Sequence, residues 1–216
     1  MTSAMPTARR PIRDLVGEAA GGYVTELQQG YLKDQSGAVA ALAQLRRGAG
    51  KLPQDVPDLW GMFGAERLHS EQTLSESDAI KAEAALFLAV TLYALHQQSR
   101  SEQRMHRPGV QLGEAVRRLM PEGSIDDTIR RRFVRVGSAS TREALAYRLR
   151  EIISLLRRES IPLDYALLAR QLYQAQIPGG MLLVRQNWGL SFHAYQADTS
   201  KAETPSGEDS PTDKDI

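Results

Sequence analysis

The sequence predicts an all-α fold: a helical bundle of about eight to nine helices in two packed helical subdomains. Three observations predict it. Apolar residues recur at i, i+3, i+4 and i+7 through most of the chain. No stretch alternates apolar and polar residues for the length of a strand. With 216 residues and 42% apolar content, the chain is long enough for a real core. The expected divisions are residues 1–104, residues 105–196, and a disordered acidic tail over 197–216.

The elements follow in order. Ile12, Leu15, Val16, Ala19, Tyr23, Val24, Leu27 and Tyr31 trace one helical stripe over about 12–31. Gly21-Gly22 weakens it by roughly 1 kcal/mol per glycine and marks a site for a kink. A second helix carries Val39, Leu42 and Leu45, with Ser36 as its expected cap, and stops at Arg46-Arg47-Gly48. Those two arginines serve the helix dipole as well as they serve a phosphate. GAGKLPQDVPD then reads as a loop. It is not a phosphate loop, because no strand precedes it and no Ser or Thr follows Lys51. A short helix with Leu59, Trp60 and Phe63 as core anchors is expected next.

Ser75, with Asp78 three residues on, caps a helix over about 77–98. That helix is apolar nearly all round, which places it centrally. Its longest uncharged run, Ala84 to Leu95, is shorter than the roughly 20 residues of a membrane span, so no membrane role is expected. Pro108-Gly109 breaks the chain. Leu112, Ala115, Val116 and Leu119 then form a stripe that turns Arg117 and Arg118 outward. Ser124 starts a helix with Ile129, Phe133 and Val136, whose remaining faces carry Arg130, Arg131, Arg132 and Arg135. Ser140 and Glu143 read as a capping box for a long helix over about 141–158, with Leu145, Leu149, Ile152, Ile153 and Leu156 inward. Asp164 opens a further helix that ends near IPGG at 177–180. The last apolar segment, MLLVRQNWGLSFHAY, reads as helix or strand.

Charge is unevenly placed. Between Arg100 and Arg158 lie fourteen arginines, no lysine and seven carboxylates, a net charge of +7. Residues 197–216 carry six acids and two lysines, net −4, within a chain of overall +1. The chain has 22 arginines and five lysines, a bias that a GC-rich coding sequence also produces. The argument therefore rests on local charge and on helical spacing. Arginine's planar fork suits phosphate oxygens and stacks on bases. A folded, helical surface of net +7 points to a polynucleotide backbone held without base-specific readout.

Catalysis has little behind it. The four histidines are scattered without metal-ligand spacing, and there is no H-E-x-x-H, nucleophile elbow or G-x-G-x-x-G. No enzyme, metal or cofactor is expected. The absence of cysteine excludes disulfides and is compatible with the cytoplasm. Two other readings stay open: a helical adaptor that binds only proteins, and a helix-turn-helix regulator using residues 125–158.

HRPGVQLGEAVRRL at 106–119, RRRFVRV at 130–136, REALAYRLREIISLLR at 142–157, and LDYALLARQLY at 163–173 together resemble the CasB family. These are small subunits of Cascade, the type I-E CRISPR surveillance complex. AQLRRG at 43–48 and WGLSFHAY near the end fit as well. The resemblance covers about residues 12–195. It implies an all-helical, non-catalytic subunit present in two copies among other Cascade subunits. It also implies contact with guide RNA, target DNA strand and displaced non-target strand. By position it carries binding over to Arg46, Arg47, His106, Arg107, Arg131, Arg132, Arg142 and Arg150. Charge and placement add Arg100, Arg117, Arg118 and Arg135. One departure is VGSAS at 136–140, where some members carry a short Arg-Ala-Asp-like turn.

Overall fold

The computed structural model describes residues 10–69 and 73–202, with side chains through Tyr195. Among these residues there are eight α-helices and no strand. In chain order they are α1 (Ile12–Leu32), α2 (Ser36–Leu45), α3 (Glu76–Gln97), α4 (Leu112–Arg117), α5 (Asp127–Gly137), α6 (Arg142–Arg158), α7 (Tyr165–Gln174) and α8 (Gly180–Ala202).

The nearly all-apolar α3 is the axis. It packs against α1, α2, α6 and α7. Phe87, Val90, Leu92 and Tyr93 on it have no measurable exposure. Each such side chain contributes roughly 1.5–3 kcal/mol of transfer free energy. The helix has the length and hydropathy of a membrane span, yet 72% of its most apolar window is buried among the other helices. One continuous core cluster joins α1, α3, α6, α7 and α8, so it draws on both sides of the 104/105 boundary.

Two helix pairs approach closely because a glycine lets them. A Cβ at Gly21 would lie 2.9 Å from the Ala166 methyl, so Gly21 serves the α1–α7 crossing, and α1 runs through the glycine pair unbroken. A Cβ at Gly113 would lie 2.0 Å from the Trp188 carbonyl oxygen, which is backbone and cannot rotate away. That contact brings α4 against α8. It also shows why 181–195 is helical: α8 lays Val184, Trp188 and Phe192, four apart, into the core.

The caps partly differ from the sequence reading. Ser75 Oγ accepts from the Asp78 amide at 3.2 Å, and Asp164 Oδ1 from the Leu167 amide at 3.0 Å, as expected. At α5 the cap is Asp126, not Ser124, and its Oδ1 accepts from Thr128 and Ile129. At α6 it is Thr141, one residue after Ser140, accepting from Ala144 at 3.1 Å. Ser36 lies inside α2 and does not cap it. The helix expected around Leu59–Phe63 is instead a run of 3-10 turns. Pro53 and Pro57 start two of them, and Gly61 and Gly64 sit at φ 76° and 80°. Leu59 and Phe63 reach the core, but Trp60 is 63% exposed, its indole N–H donating to the Pro53 carbonyl at 3.0 Å. The stretch from Ala197, expected to be disordered, continues α8 as far as Ala202, because extending a formed helix needs no new nucleus. The rest of the expected tail, residues 203–216, lies outside the described residues.

Residues 97–110 cross the bundle without regular structure, and buried amides meet their needs. Gln97 Nε2 donates to the carbonyls of Arg100 and Gln103 at 2.6 and 2.8 Å, while its Oε1 accepts from the Met105 amide at 3.2 Å. Gln28 brackets His106, accepting from its amide at 2.8 Å and donating to its carbonyl at 3.1 Å. Met105 and Arg107 exchange backbone bonds with Leu163, a single parallel bridge before α7.

Two expected outcomes follow. Gly113→Ala lowers stability by several kcal/mol through overpacking against backbone, measured by urea unfolding; a change within about 0.5 kcal/mol would show that α4 and α8 do not meet as described. Burial holds the His96 pKa down to about 3, with Arg157 and Arg100 adding repulsion, and burial also lowers His106. The unfolded chain therefore binds protons first as pH falls below about 6.5. Stability is full above that pH and declines toward pH 4, by up to about 1.4 kcal/mol per pH unit for each histidine. Thermal unfolding across this range checks it, and His96→Asn flattens the decline.

Candidate nucleic-acid interface

The interface is built on α5 and α6. On α6 the apolar stripe of Leu149, Ile152, Ile153 and Leu156 is buried. This leaves Glu143, Tyr147, Arg150, Ser154 and Arg158 as an exposed ridge. Arg150 and Arg157, seven residues apart, share one flank. There Arg150 packs its stem on Gly50 and donates to the Ala49 carbonyl at 3.3 Å. The Ala49-Gly50 segment that follows the Arg46–Gly48 turn is thereby held against α6, about a hundred residues on in sequence. On the opposite flank Arg148 donates to the Arg135 carbonyl of α5.

On α5, Ile129, Phe133 and Val136 turn inward, and Arg130, Arg131, Arg132 and Arg135 are exposed. Arg130 pairs with Asp127 at 2.9 Å, and Arg131 Nε donates to the Asp127 carbonyl. Two open grooves border this helix, and a third lies just beyond its C-terminus. One of about 500 Å³ is lined by Arg118, Arg132 and Arg158, with Asp126 and Glu159. Another of about 570 Å³ runs between α5 and α8, with Phe133 and Phe192 as floor and Arg130, Arg185 and His193 at the rim. The third, about 770 Å³, lies at the start of α6 beside Lys81, Arg142 and Arg185.

The residues expected to bind fall into four groups. Arg46, Arg107, Arg132, Arg135 and Arg142 are exposed and, among the described residues, make no side-chain hydrogen bond or ion pair. Arg47, Arg131 and Arg150 are also exposed but hold a local partner, Arg47 meeting Asp58 at 3.3 Å. Arg118 is half-buried, paired with Glu114 and set over the Tyr195 ring at 5.3 Å.

Three residues are structural, which corrects the sequence reading. Arg117 does not face outward: it is 2% exposed, and its Nη1 donates to the Pro121 carbonyl at 3.1 Å, closing the turn after α4. His106 is 5% exposed; its Nδ1 accepts from the Tyr165 amide at 3.2 Å, and burial keeps the ring neutral. Arg100 donates to the carbonyls of Arg157 and Arg158 at 2.7 and 3.0 Å, capping the C-terminus of α6. A stripe drawn from sequence could not foresee these, because their partners lie in turns and on another helix. Conversely, sequence reasoning passed over Arg185, a cation on α8 that borders two of the three grooves.

Only three of the block's fourteen arginines pair with a carboxylate among the described residues: Arg118, Arg130 and Arg158. The positive charge is therefore displayed, not neutralised. No cluster of three or more His, Cys, Asp or Glu that could hold a metal occurs among the described residues.

Such a molecule falls in the class of all-helical, arginine-faced subunits. Residues 41–193 match the family of CRISPR-associated protein Cse2. A crystal structure of CasB from Thermobifida fusca superposes with a TM-score of 0.76 at 53% identity, over 83% of this chain and 98% of that one. A search among curated proteins found no match. The chain belongs to the CRISPR-associated Cse2 (CasB) family, and is as such a subunit of the Cascade complex alongside other subunits.

The structural and displayed arginines should separate by experiment. Arg100→Ala and Arg117→Ala are expected to cost about 1–3 kcal/mol each in urea unfolding, because buried carbonyls lose their donors. Arg135→Ala and Arg142→Ala should stay within about 0.5 kcal/mol of the parent.

Proposed function

We propose that this Cascade subunit binds nucleic acid without catalysis, using the displayed arginines of α5, α6 and the Arg46–Gly48 turn. Its partners in this reading are the guide RNA, the target and displaced non-target DNA strands, and a second copy of itself. The observation that carries it is the set of exposed arginines with no carboxylate beside them. Like charges crowded on α5 repel unless an anion lies near, and a phosphate backbone supplies one at regular spacing.

The mechanism is electrostatic. Opening a target duplex against a guide RNA is a nearly balanced exchange of base pairs. Backbone contacts of about 1 kcal/mol each are then enough to tip the exchange toward the open, R-loop state. Arginine forks bind phosphate oxygens in pairs, and contacts made to phosphate carry no sequence information, so binding through them tolerates any sequence. A duplex-operator reader built on residues 125–158 would instead prefer one duplex sequence strongly over random competitor.

The test is binding of single-stranded DNA and RNA over a salt series, with the isolated protein and with the assembled complex. Arg132→Ala combined with Arg135→Ala should weaken binding uniformly across sequences and reduce the salt slope by about 1–2. In the complex the same pair should lower the yield of open target. Unchanged binding and slope would sink the proposal in favour of a protein-only adaptor.

A further inference from the structure

We infer that the acidic segment 203–216 docks on the arginine-covered flank of α5 and on the groove lined by Arg118, Arg132 and Arg158, where it competes with nucleic acid. The competition rests on the reading above; the docking does not. Three observations converge on it.

The first is charge. Residues 203–216 hold five acids and one lysine, a net −4. The helix α5 holds four arginines against Asp127, the only acid within it, for a net +3. Of the groove's three arginines, Arg118 and Arg158 are matched by Glu114 and Glu159, while Asp126 is occupied in capping α5. Among the described residues, Arg132 in the same groove has no hydrogen-bond or ion-pair partner. Arg135 stands one turn along, equally unmatched.

The second is position. The segment continues directly from α8. Near its end α8 is fixed beside this groove, because the Arg118 guanidinium lies 5.3 Å from the Tyr195 ring centre. From Tyr195 the helix runs on to Ala202, a rise of roughly 10 Å at helical pitch.

The third is reach. Fourteen residues span at most roughly 45–50 Å when extended, far more than the return to α5 requires. A tether of this length gives an effective concentration in the millimolar range. Weak contacts between carboxylates and guanidinium groups then suffice to occupy the groove. Alternating acids with Ser, Thr and Pro present negative charge at intervals without apolar anchors, so a strand of phosphates can displace it. The device would hold the free subunit's cationic face from indiscriminate polynucleotide binding and yield to the denser charge of an assembled guide and target.

The experiment compares the full chain, a chain ending at Ala202, and a full-length chain with Glu203, Glu208, Asp209, Asp213 and Asp215 changed to Asn or Gln. Backbone amide spectra are recorded without nucleic acid, and affinity for a single-stranded oligothymidine is measured at low and high salt. Docking predicts amide shifts in α5 and around Arg118 in both altered chains. It also predicts an affinity gain of about tenfold at low salt that fades at high salt. Absence of shifts in α5 overturns the docking, whatever the oligonucleotide does. Shifts that disappear on dilution would assign the contact to a second copy and overturn the tethered form. Shifts without an affinity gain overturn the competition. Shifts with no oligonucleotide binding by any of the three chains would leave the docking standing and remove the nucleic-acid reading instead.

Discussion

An irregular segment can dip into a protein core only if every amide and carbonyl it buries finds a partner, and the rest of this structure depends on how that is met where Met105 and His106 are buried. Between the end of α3 and the start of α4 the chain has no ladder of its own. Gln97 supplies three of the missing bonds, Gln28 supplies two, and Leu163 closes the set from the segment before α7. Leaving one such group unpaired costs about 1–3 kcal/mol, so the five bonds of two glutamines hold the crossing in one conformation. Through them α1, α3 and α7 are fixed relative to α4. The helices that carry the arginines stand on that frame.

Arginine plays two roles here, and burial divides them. Arg100 and Arg117 spend their donors on carbonyls at helix ends, where the rigid guanidinium fork satisfies backbone that the helix leaves without a partner. Arg132, Arg135 and Arg142 stand in solvent with their donors uncommitted. The second role leans on the first: the C-terminus of α6 is closed by Arg100, and the ridge of α6 presents Arg150 and Arg158 only if that helix end holds.

Membership of the Cse2 family gives this arrangement its context. In the nucleic-acid-binding reading proposed above, such a subunit needs rigid helices and displayed guanidinium groups. Close packing of α4 on α8 and of α1 on α7, each admitted by a glycine, supplies the rigidity. The unbalanced cations on α5 supply the charge, at a cost in self-repulsion that an anionic partner relieves.

Much of this was legible in the chain alone, because helical periodicity and capping chemistry are local. The stripe from Leu145 to Leu156, the all-apolar α3, the caps at Ser75 and Asp164, and the +7 block all follow from neighbours within one or two turns. The resemblance in residues 106–173 was legible for the same reason, as ordered local motifs. Tertiary structure decided what spacing cannot encode. It turned Arg117 and His106 inward, since their partners lie in a turn and at the start of another helix. It left Trp60 outside, because prolines and left-handed glycines replaced the expected helix with tight turns. It made α8 a helix by giving Val184, Trp188 and Phe192 a core to enter. And it brought Ala49 and Gly50 against Arg150, because the meeting of distant segments is set by packing, and packing is a property of the whole chain.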